Sequence, residues 1–437
     1  MTGIEIGVAA IAVLLLLILL GMPIGVALMV ASFGGVALIR NETVALRMLG
    51  SVANDSLEEY LFAIVPLFVL MGLLVTISGV GKDTFDVFER ALRRGKAGRG
   101  IATVCANAGF ASTTRISGAS ASVFSRTAVP EMIRHGYPSR FATGVVAGSS
   151  VLGMLIPPSL LMVVYAVLAE ESVGRMFLSG IGPGLLLSAL FALTILIQAW
   201  LRPASVFERQ SMADEAPALG VLDFLRKGAP IVLLVTLVLG GLYGGFLNPT
   251  EAGAIGALGA LGIALQRRAL TRSKFWTLLR QTGQITVSGL FLIVAATFFS
   301  RMLAMSGLPA ALAQFLIDES IGAYGFLIVF LLLVILMGCF IDSISIMLIL
   351  LPIALPVAVA AGFDLIWFGV MTVVAVEIGL LTPPFGLSVY TIKSSINDRS
   401  IKVGDIFRGT MPFVGAMIVC LVILTIFPQI ATLLARL

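Results

Sequence analysis

Histidine is nearly absent from this chain of 437 residues: His135 stands alone, and the three cysteines, Cys105, Cys339 and Cys420, are isolated from one another. One imidazole, beside Arg134 and Gly136, gives a histidine-based hydrolase or proton relay little to work with. Without CxxC spacing or a His cluster the thiols read as packing residues, not as metal ligands or disulfide partners. GxSxG and HExxH motifs are missing as well, so an intramembrane enzyme would have only Asp342 and Glu377 as catalysts, and no catalytic set is assigned. Charge is equally scarce. Charged residues make up 12% of the chain against 59% apolar, with a mean hydropathy of +1.09, which excludes a water-soluble globule.

What is present is a series of apolar runs of membrane-spanning length, the mark of an all-α polytopic membrane protein. Ten crossings are expected, at 5 to 20, 24 to 39, 61 to 80, 141 to 168, 176 to 200, 229 to 246, 251 to 266, 283 to 300, 365 to 393 and 409 to 434. Two further stretches, 101 to 138 and 326 to 361, carry polar or Pro breaks midway and read as re-entrant hairpins. The first run is preceded by Glu5, with no Lys or Arg and no small-residue cleavage signature, so it is expected to stay as a helix. With the hairpins returning to their starting side, the loops 82 to 99, 131 to 140, 202 to 228, 267 to 280 and 393 to 408 hold 21 of the 28 Lys and Arg residues. The opposite face holds five. The positive-inside rule makes the richer face cytoplasmic and places both termini outside; it also accounts for the net charge of +5 without nucleic acid.

The chain repeats itself at an offset of 226: GMLIPPS and GLLTPPF place Gly153, Pro157 and Pro158 opposite Gly379, Pro383 and Pro384. Pro130 likewise matches Pro356, Gly136 matches Gly362, and Phe141 falls opposite Trp367. Proline lacks an N-H, so the carbonyls of Gly153, Met154, Gly379 and Leu380 are expected to lose their helical partners. Paired interrupted helices in two halves point to an ion and solute site near the bilayer midplane, whereas packing kinks alone would be the plainer reading. The first half covers 1 to 200 with its hairpin and the broken helix 141 to 168. A polar linker at 201 to 228 follows, then the second half, 229 to 437, with the broken helix 365 to 393. The two hairpins enter from opposite sides, which makes the repeats inverted. KDTFDVFERALRRGKAG and GLPAALAQFLIDES precede them as amphipathic arms or surface anchors.

The first hairpin carries Ser112, Thr113, Thr114, Ser117, Gly118, Ser120 and Ser122, a run that either lines a polar cavity or serves close helix packing. Arg115 lies within it and Asp342 at the equivalent tip of the second hairpin. A charge at membrane depth costs from about 2.5 kcal/mol upward and marks a pathway or a buried pair. Arg115 therefore either forks onto the carboxylate of an anionic solute or pairs internally with Asp342 or Glu377. Arg126, further along the descending arm, is a candidate for snorkelling.

On the tip at Arg115 to Gly118, the run MIRHGYPSRFATGVVAGSSVLGMLIPPSLLMVVYA and the run FIDSISIMLILLPIALPVAVAAGFDLIWFGVMTVVAVEIGLLTPPFGLSVY, the chain resembles the large membrane (M) subunit of tripartite ATP-independent periplasmic (TRAP) transporters. The resemblance covers essentially the whole chain. It implies sodium-coupled secondary transport of an organic acid anion, such as a C4-dicarboxylate or sugar acid, across the bacterial inner membrane. An elevator-like motion of the hairpins is implied too, with a soluble periplasmic binding protein and a small four-helix membrane subunit as partners, and no cofactor beyond Na+. By motif position one sodium site draws on Thr114, Ser117, Gly153 and Ile156, and the other on Asp342, Ser345, Gly379 and Thr382. The solute would lie between the tips, near Arg115, Ser117, Gly118, Asp342 and Ser343. The first tip departs from the family pattern of small residues followed by an acidic one, since Arg115 is followed by ASVFSRTAV with Arg126; the second site carries over more directly. A stand-alone sodium/carboxylate symporter of similar architecture is the alternative. Arg115→Ala is expected to abolish solute uptake while leaving the chain assembled; unchanged uptake kinetics would return Arg115 to a structural role.

Overall fold

The computed structural model describes residues 2–58, 63–92, 97–114, 117–206, 221–318, 322–384, 386–396, 398 and 400–436. For residues 56, 57, 111 to 114, 117 to 119, 205, 221, 222 and 316 to 318 it describes the backbone alone. The first half comprises α1 (Gly3–Leu19), α2 (Ile24–Ile39), α3 (Glu42–Glu58), α4 (Ile64–Ile77), α5 (Val80–Leu92), α6 (Gly98–Thr114), α7 (Ser117–Arg134), α8 (Ser139–Ser150), α9 (Leu152–Leu155), α10 (Leu160–Leu168) and α11 (Val173–Leu201). The short α12 (Pro203–Val206) follows. The second half comprises α13 (Val221–Val235), which continues through a π-helical turn at Thr236–Gly240 into α14 (Gly241–Tyr243), then α15 (Pro249–Gln266), α16 (Arg272–Ser306), α17 (Leu308–Asp318) and α18 (Gly322–Gly338). It ends with α19 (Ser343–Ala360), α20 (Leu365–Leu381), α21 (Leu387–Ser395), α22 (Val403–Ile426) and α23 (Gln429–Thr432). The protein is all-α and polytopic.

The repeat extends to the helix boundaries. Helices α7 and α19 begin at Ser117 and Ser343, and α8 and α20 at Ser139 and Leu365, each pair 226 apart. The same local chemistry ends them: Gly136 and Gly362 terminate the descending arms at φ values of 80° and 77°, the left-handed region that a glycine enters without a Cβ clash. Both halves keep a proline within the descending arm, Pro130 and Pro356. The halves also interlock. Helix α2 packs on α16 and α15 on α4; α8 packs on α22 and α20 on α11; α10 packs on α19 and α21 on α7. Within each pair of contacts the second is the first with the halves exchanged, so neither half closes its core alone.

The expected hairpins appear as two-helix units, α6 with α7 and α18 with α19, and both amphipathic arms appear as α5 and α17. The crossings are less uniform than expected. Helices α11, α16, α19 and α22 and the continuous segment Asp223–Tyr243 are each long and apolar enough to span, whereas α1, α2, α18 and α20 are apolar but shorter. Seventeen residues of helix, as in α20, rise about 25 Å, so the breaks and caps at their ends lie at membrane depth. The chain bends by 65° between α4 and α5 and by 42° between α9 and α10. The first bend turns the arm α5 out of the line of α4, and the second is the predicted broken helix.

Helix α3 was not expected. Its sequence is too polar to span, and an ion pair of 3.0 Å from Asp55 to Arg301 holds it on α16. Arm α5 is fixed in the same manner, through Asp86 to Lys227 (2.5 Å) and Asp83 to Arg267 (2.5 Å), the latter also donating to the Ser78 carbonyl. The tightest helix contact joins α8 to α22, where a Cβ added to Gly144 would stand 2.2 Å from the Gly409 carbonyl oxygen. Gly144→Ala must push these helices apart, at a cost of about 1 to 3 kcal/mol. A fall in the thermal midpoint of the purified protein is expected; an unchanged midpoint would mean that α8 and α22 separate freely.

Candidate ion and solute site

Of the two carbonyls expected to open at each proline pair, one is closed and the other keeps no helical donor among the described residues. At the first break Ile156 is extended (φ −75°, ψ 125°), and Ser159 caps α10 while its hydroxyl donates to the Met154 carbonyl at 2.5 Å. Ile156 N-H is committed to Leu152 (2.8 Å) and Pro157 has none, so the Gly153 carbonyl has neither usual helical donor. At the second break the Thr382 N-H returns to the Gly379 carbonyl at 3.0 Å and its hydroxyl donates to Ile378 at 2.7 Å. Leu380 is followed at both helical donor positions by prolines, Pro383 and Pro384, so its carbonyl is the open one. Ser159 and Thr382 thus close Met154 and Gly379 and correct the sequence-based set. Both Pro-Pro bonds are cis.

The surroundings of the breaks are equally defined. Asp342 is the N-cap of α19: one carboxylate oxygen accepts from the amides of Ile344 and Ser345, both at 3.1 Å, and the other accepts from the Ser345 hydroxyl. A carboxylate at a helix N-terminus is favoured by the free amides and the helix dipole. Asp342 is exposed, while Ser343 and Ser345 are buried. Gly379 lies directly on Gly338, the last residue of α18; an added Cβ at Gly379 would stand 2.6 Å from the Gly338 Cα. The second break therefore rests on the second hairpin four residues before Asp342. In the first half α9, which contains Gly153, packs against α6, α7 and α20, so the first break lies between its own hairpin and the second broken helix. Ile156 itself turns its side chain toward Gly184 of α11.

Of the other predicted residues, Arg115 lies outside the described residues, and Thr114, Ser117 and Gly118 are described by backbone alone, at the end of α6 and the start of α7. Among the described residues no group of three or more His, Cys, Asp or Glu is gathered. A cation at the breaks would be held by carbonyls, hydroxyls and one carboxylate, a hard donor set.

Two features carry no motif in the sequence. Asn107, fully buried in α6, donates to the Ser149 hydroxyl of α8 and accepts from the Ser120 hydroxyl of α7, both at 2.5 Å, and the Ser149 hydroxyl in turn donates to the Val145 carbonyl at 2.6 Å. This relay ties both arms of the first hairpin to the broken helix. Its only sequence signal is an isolated Asn in an apolar helix. Glu377 is 1% exposed, two residues before Gly379, and among the described residues neither carboxyl oxygen has a hydrogen-bond partner. A buried polar group without a partner is among the costlier placements in a fold.

Residues 11–430 match the family described as the tripartite ATP-independent periplasmic transporter, DctM component. The chain belongs to this family. A C4-dicarboxylate TRAP transporter large permease from Pseudomonas aeruginosa is 32% identical over 388 residues, covering 89% of each chain. An ectoine TRAP transporter large permease from Halomonas elongata is 28% identical, covering 96% of each. In fold, the chain is similar to the crystal structure of the Alcanivorax borkumensis YdaH transporter, with a TM-score of 0.57 at 14% identity over 90% of this chain and 88% of that one. For a DctM-family permease the relay and the breaks form one unit, since Ser149 lies four residues before Gly153. Asn107→Ala strands the buried Ser120 hydroxyl and removes the donor to Ser149, at a cost of about 1 to 3 kcal/mol. It is expected to lower the thermal midpoint and to speed proteolysis between α6 and α7; unchanged cleavage would remove the relay's holding role.

Proposed function

We propose that the protein is the large permease subunit of a sodium-coupled TRAP transporter importing an organic acid anion across the inner membrane, with its basic face cytoplasmic. The observation that carries this reading is an open carbonyl at the proline break of each half, Gly153 in the first and Leu380, one position further along the repeat, in the second. Unwound carbonyls in paired broken helices suit an alkali cation, which takes hard oxygen ligands in place of water. Asp342 and Ser345 at the second tip add an anionic oxygen and a hydroxyl next to Gly379 and Thr382. In the first half Thr114, Ser117, Gly153 and Ile156 form the corresponding set, and the solute lies between the tips with its carboxylate on Arg115. The substrates named for the relatives include a dicarboxylate and ectoine, so the acid is assigned by the charge of Arg115 and not by the relatives.

The family's tripartite name supports a soluble periplasmic binding protein and a small membrane subunit as partners. The hairpins with their broken helices move as the elevator, while α2, α4, α15 and α16 stay with the membrane frame. The test is succinate uptake into proteoliposomes holding the chain with both partners. An inward sodium gradient should drive uptake, and replacing sodium by choline should abolish it; equal uptake in choline overturns the coupling. Asp342→Asn keeps a capping oxygen on α19 but removes the charge. It is expected to raise the sodium concentration for half-maximal uptake about tenfold, the loss of one charge-assisted ligand, with little change in thermal midpoint.

A further inference from the structure

The descending arm of the first hairpin forms a crevice of about 550 Å³ with the segment that follows α21. Ser125, Arg126, Pro130 and Arg134 line one wall, Ser395 and Asp398 the other. A hydrogen bond of 2.9 Å between the Ser122 and Ser395 hydroxyls fastens the walls together. Arg134 is engaged by Glu131 at 2.7 Å. Arg126 is exposed, and among the described residues no carboxylate lies within ion-pair distance of it.

Ser125 supplies an independent sign. It is 1% exposed and among the described residues its hydroxyl has no hydrogen-bond partner, whereas the neighbouring Thr127 bonds back to the Val123 carbonyl at 2.9 Å. A hydroxyl donor and a guanidinium fork on one wall are the groups that hold a carboxylate. On the other wall the Ser400 hydroxyl and amide hold the Asp398 carboxyl below the usual carboxylate range, so it is ionised. Lys393 is occupied by the carbonyls of Asp398 and Ile401, at 3.3 and 2.7 Å.

We propose that this crevice is a second anion subsite, on the basic face and apart from the breaks, which takes the carboxylate of the organic acid as it leaves the permease. Arg126 forks onto the carboxylate and Ser125 donates to it, while Asp398 repels it and keeps the residence short. The volume admits a small acid with room for water. The assignment of the ligand as the transported acid rests on the function proposed above; the anion preference of the crevice does not.

The test uses Ile133→Cys, a crevice residue 38% exposed, in the full chain reconstituted in phosphatidylcholine vesicles. Labelling rates are compared for a sulfonate-bearing and a trimethylammonium-bearing thiosulfonate, with the parent chain as the blank. The anionic reagent should react faster, and succinate should slow it. Arg126→Gln should cut the anionic-to-cationic rate ratio about fivefold, as loss of one exposed charge allows, Arg126→Lys should keep it, and Asp398→Asn should raise it. A ratio near one in Ile133→Cys alone, or one unmoved by Arg126→Gln, overturns the subsite. Adding phosphatidylglycerol separates the sources of the anion. Protection by that lipid without protection by succinate would give the crevice to a headgroup and overturn the proposal. Failure of sodium-driven uptake with the labelling pattern intact would instead strike the proposed function alone.

Discussion

A backbone carbonyl inside a membrane must find a donor or a cation, and this requirement governs the architecture. Two proline pairs remove the donors at corresponding points of the two halves, and the fold around them repairs half of the damage. Ser159 reaches back to Met154, and Thr382 folds onto Gly379. Each repair uses the first residue beside the pair that carries a donor, on the far side in one half and on the near side in the other. As a result the open carbonyls differ in position, Gly153 in one half and Leu380 in the other. Irregular backbone of this kind is tolerated at membrane depth only where protein or a cavity encloses it. That is why the hairpins, the short α9 and the close contact of Gly338 with Gly379 are assembled around the breaks.

The interlocked pairing follows from the same need. A broken helix cannot be covered by its own half alone, because its neighbours in sequence are the hairpin and the closing helix. Contacts of α8 with α22 and of α20 with α11 bring the opposite half's closing helix onto the arm that leads to each break, while α11 of the same half reaches the first break itself at Leu155 and Ile156. The ion pairs of Asp83 and Asp86 then fix the arm α5 to α15 and α13, so the first hairpin is joined to the second half's outer helices through charge. Partly exposed pairs of this type contribute modestly to stability individually, and their value is in register.

Much of the fold was legible because apolar length, proline and glycine act locally. The offset of 226 placed both hairpins and both broken helices, and Gly136 and Gly362 marked their ends through a conformation that backbone sterics reserve for glycine. Helix α3 was missed because the ETVALRMLGSVANDSLE segment is neither apolar enough for a span nor set off by breakers; its place comes from a long-range ion pair to Arg301. At the site, the proline rule found the breaks but assigned two free carbonyls to each. A local rule cannot see a serine side chain folding back over five residues. Asn107 was invisible for a related reason, as its partners lie 13 and 42 residues away.

The repeat also makes its departures informative. The positions matching Asn107, Ser120 and Ser149 are Leu333, Ile346 and Ala375, so the relay that ties the first hairpin together has no polar counterpart in the second. Burial explains the difference. Helix α6 is enclosed by α4, α5, α8, α11 and α13, whereas α18 leaves Leu332, Leu333 and Leu336 between 42% and 61% exposed. A polar relay on that open, apolar face would have no enclosing partners, while inside the first half it gives hydrogen-bonded geometry to residues too small to pack firmly. Glu377 completes the contrast, since its counterpart is Val151 and, on the enclosed helix α20, its carboxyl has no hydrogen-bond partner among the described residues. The first hairpin is thus fixed by hydrogen bonds and the second by shape.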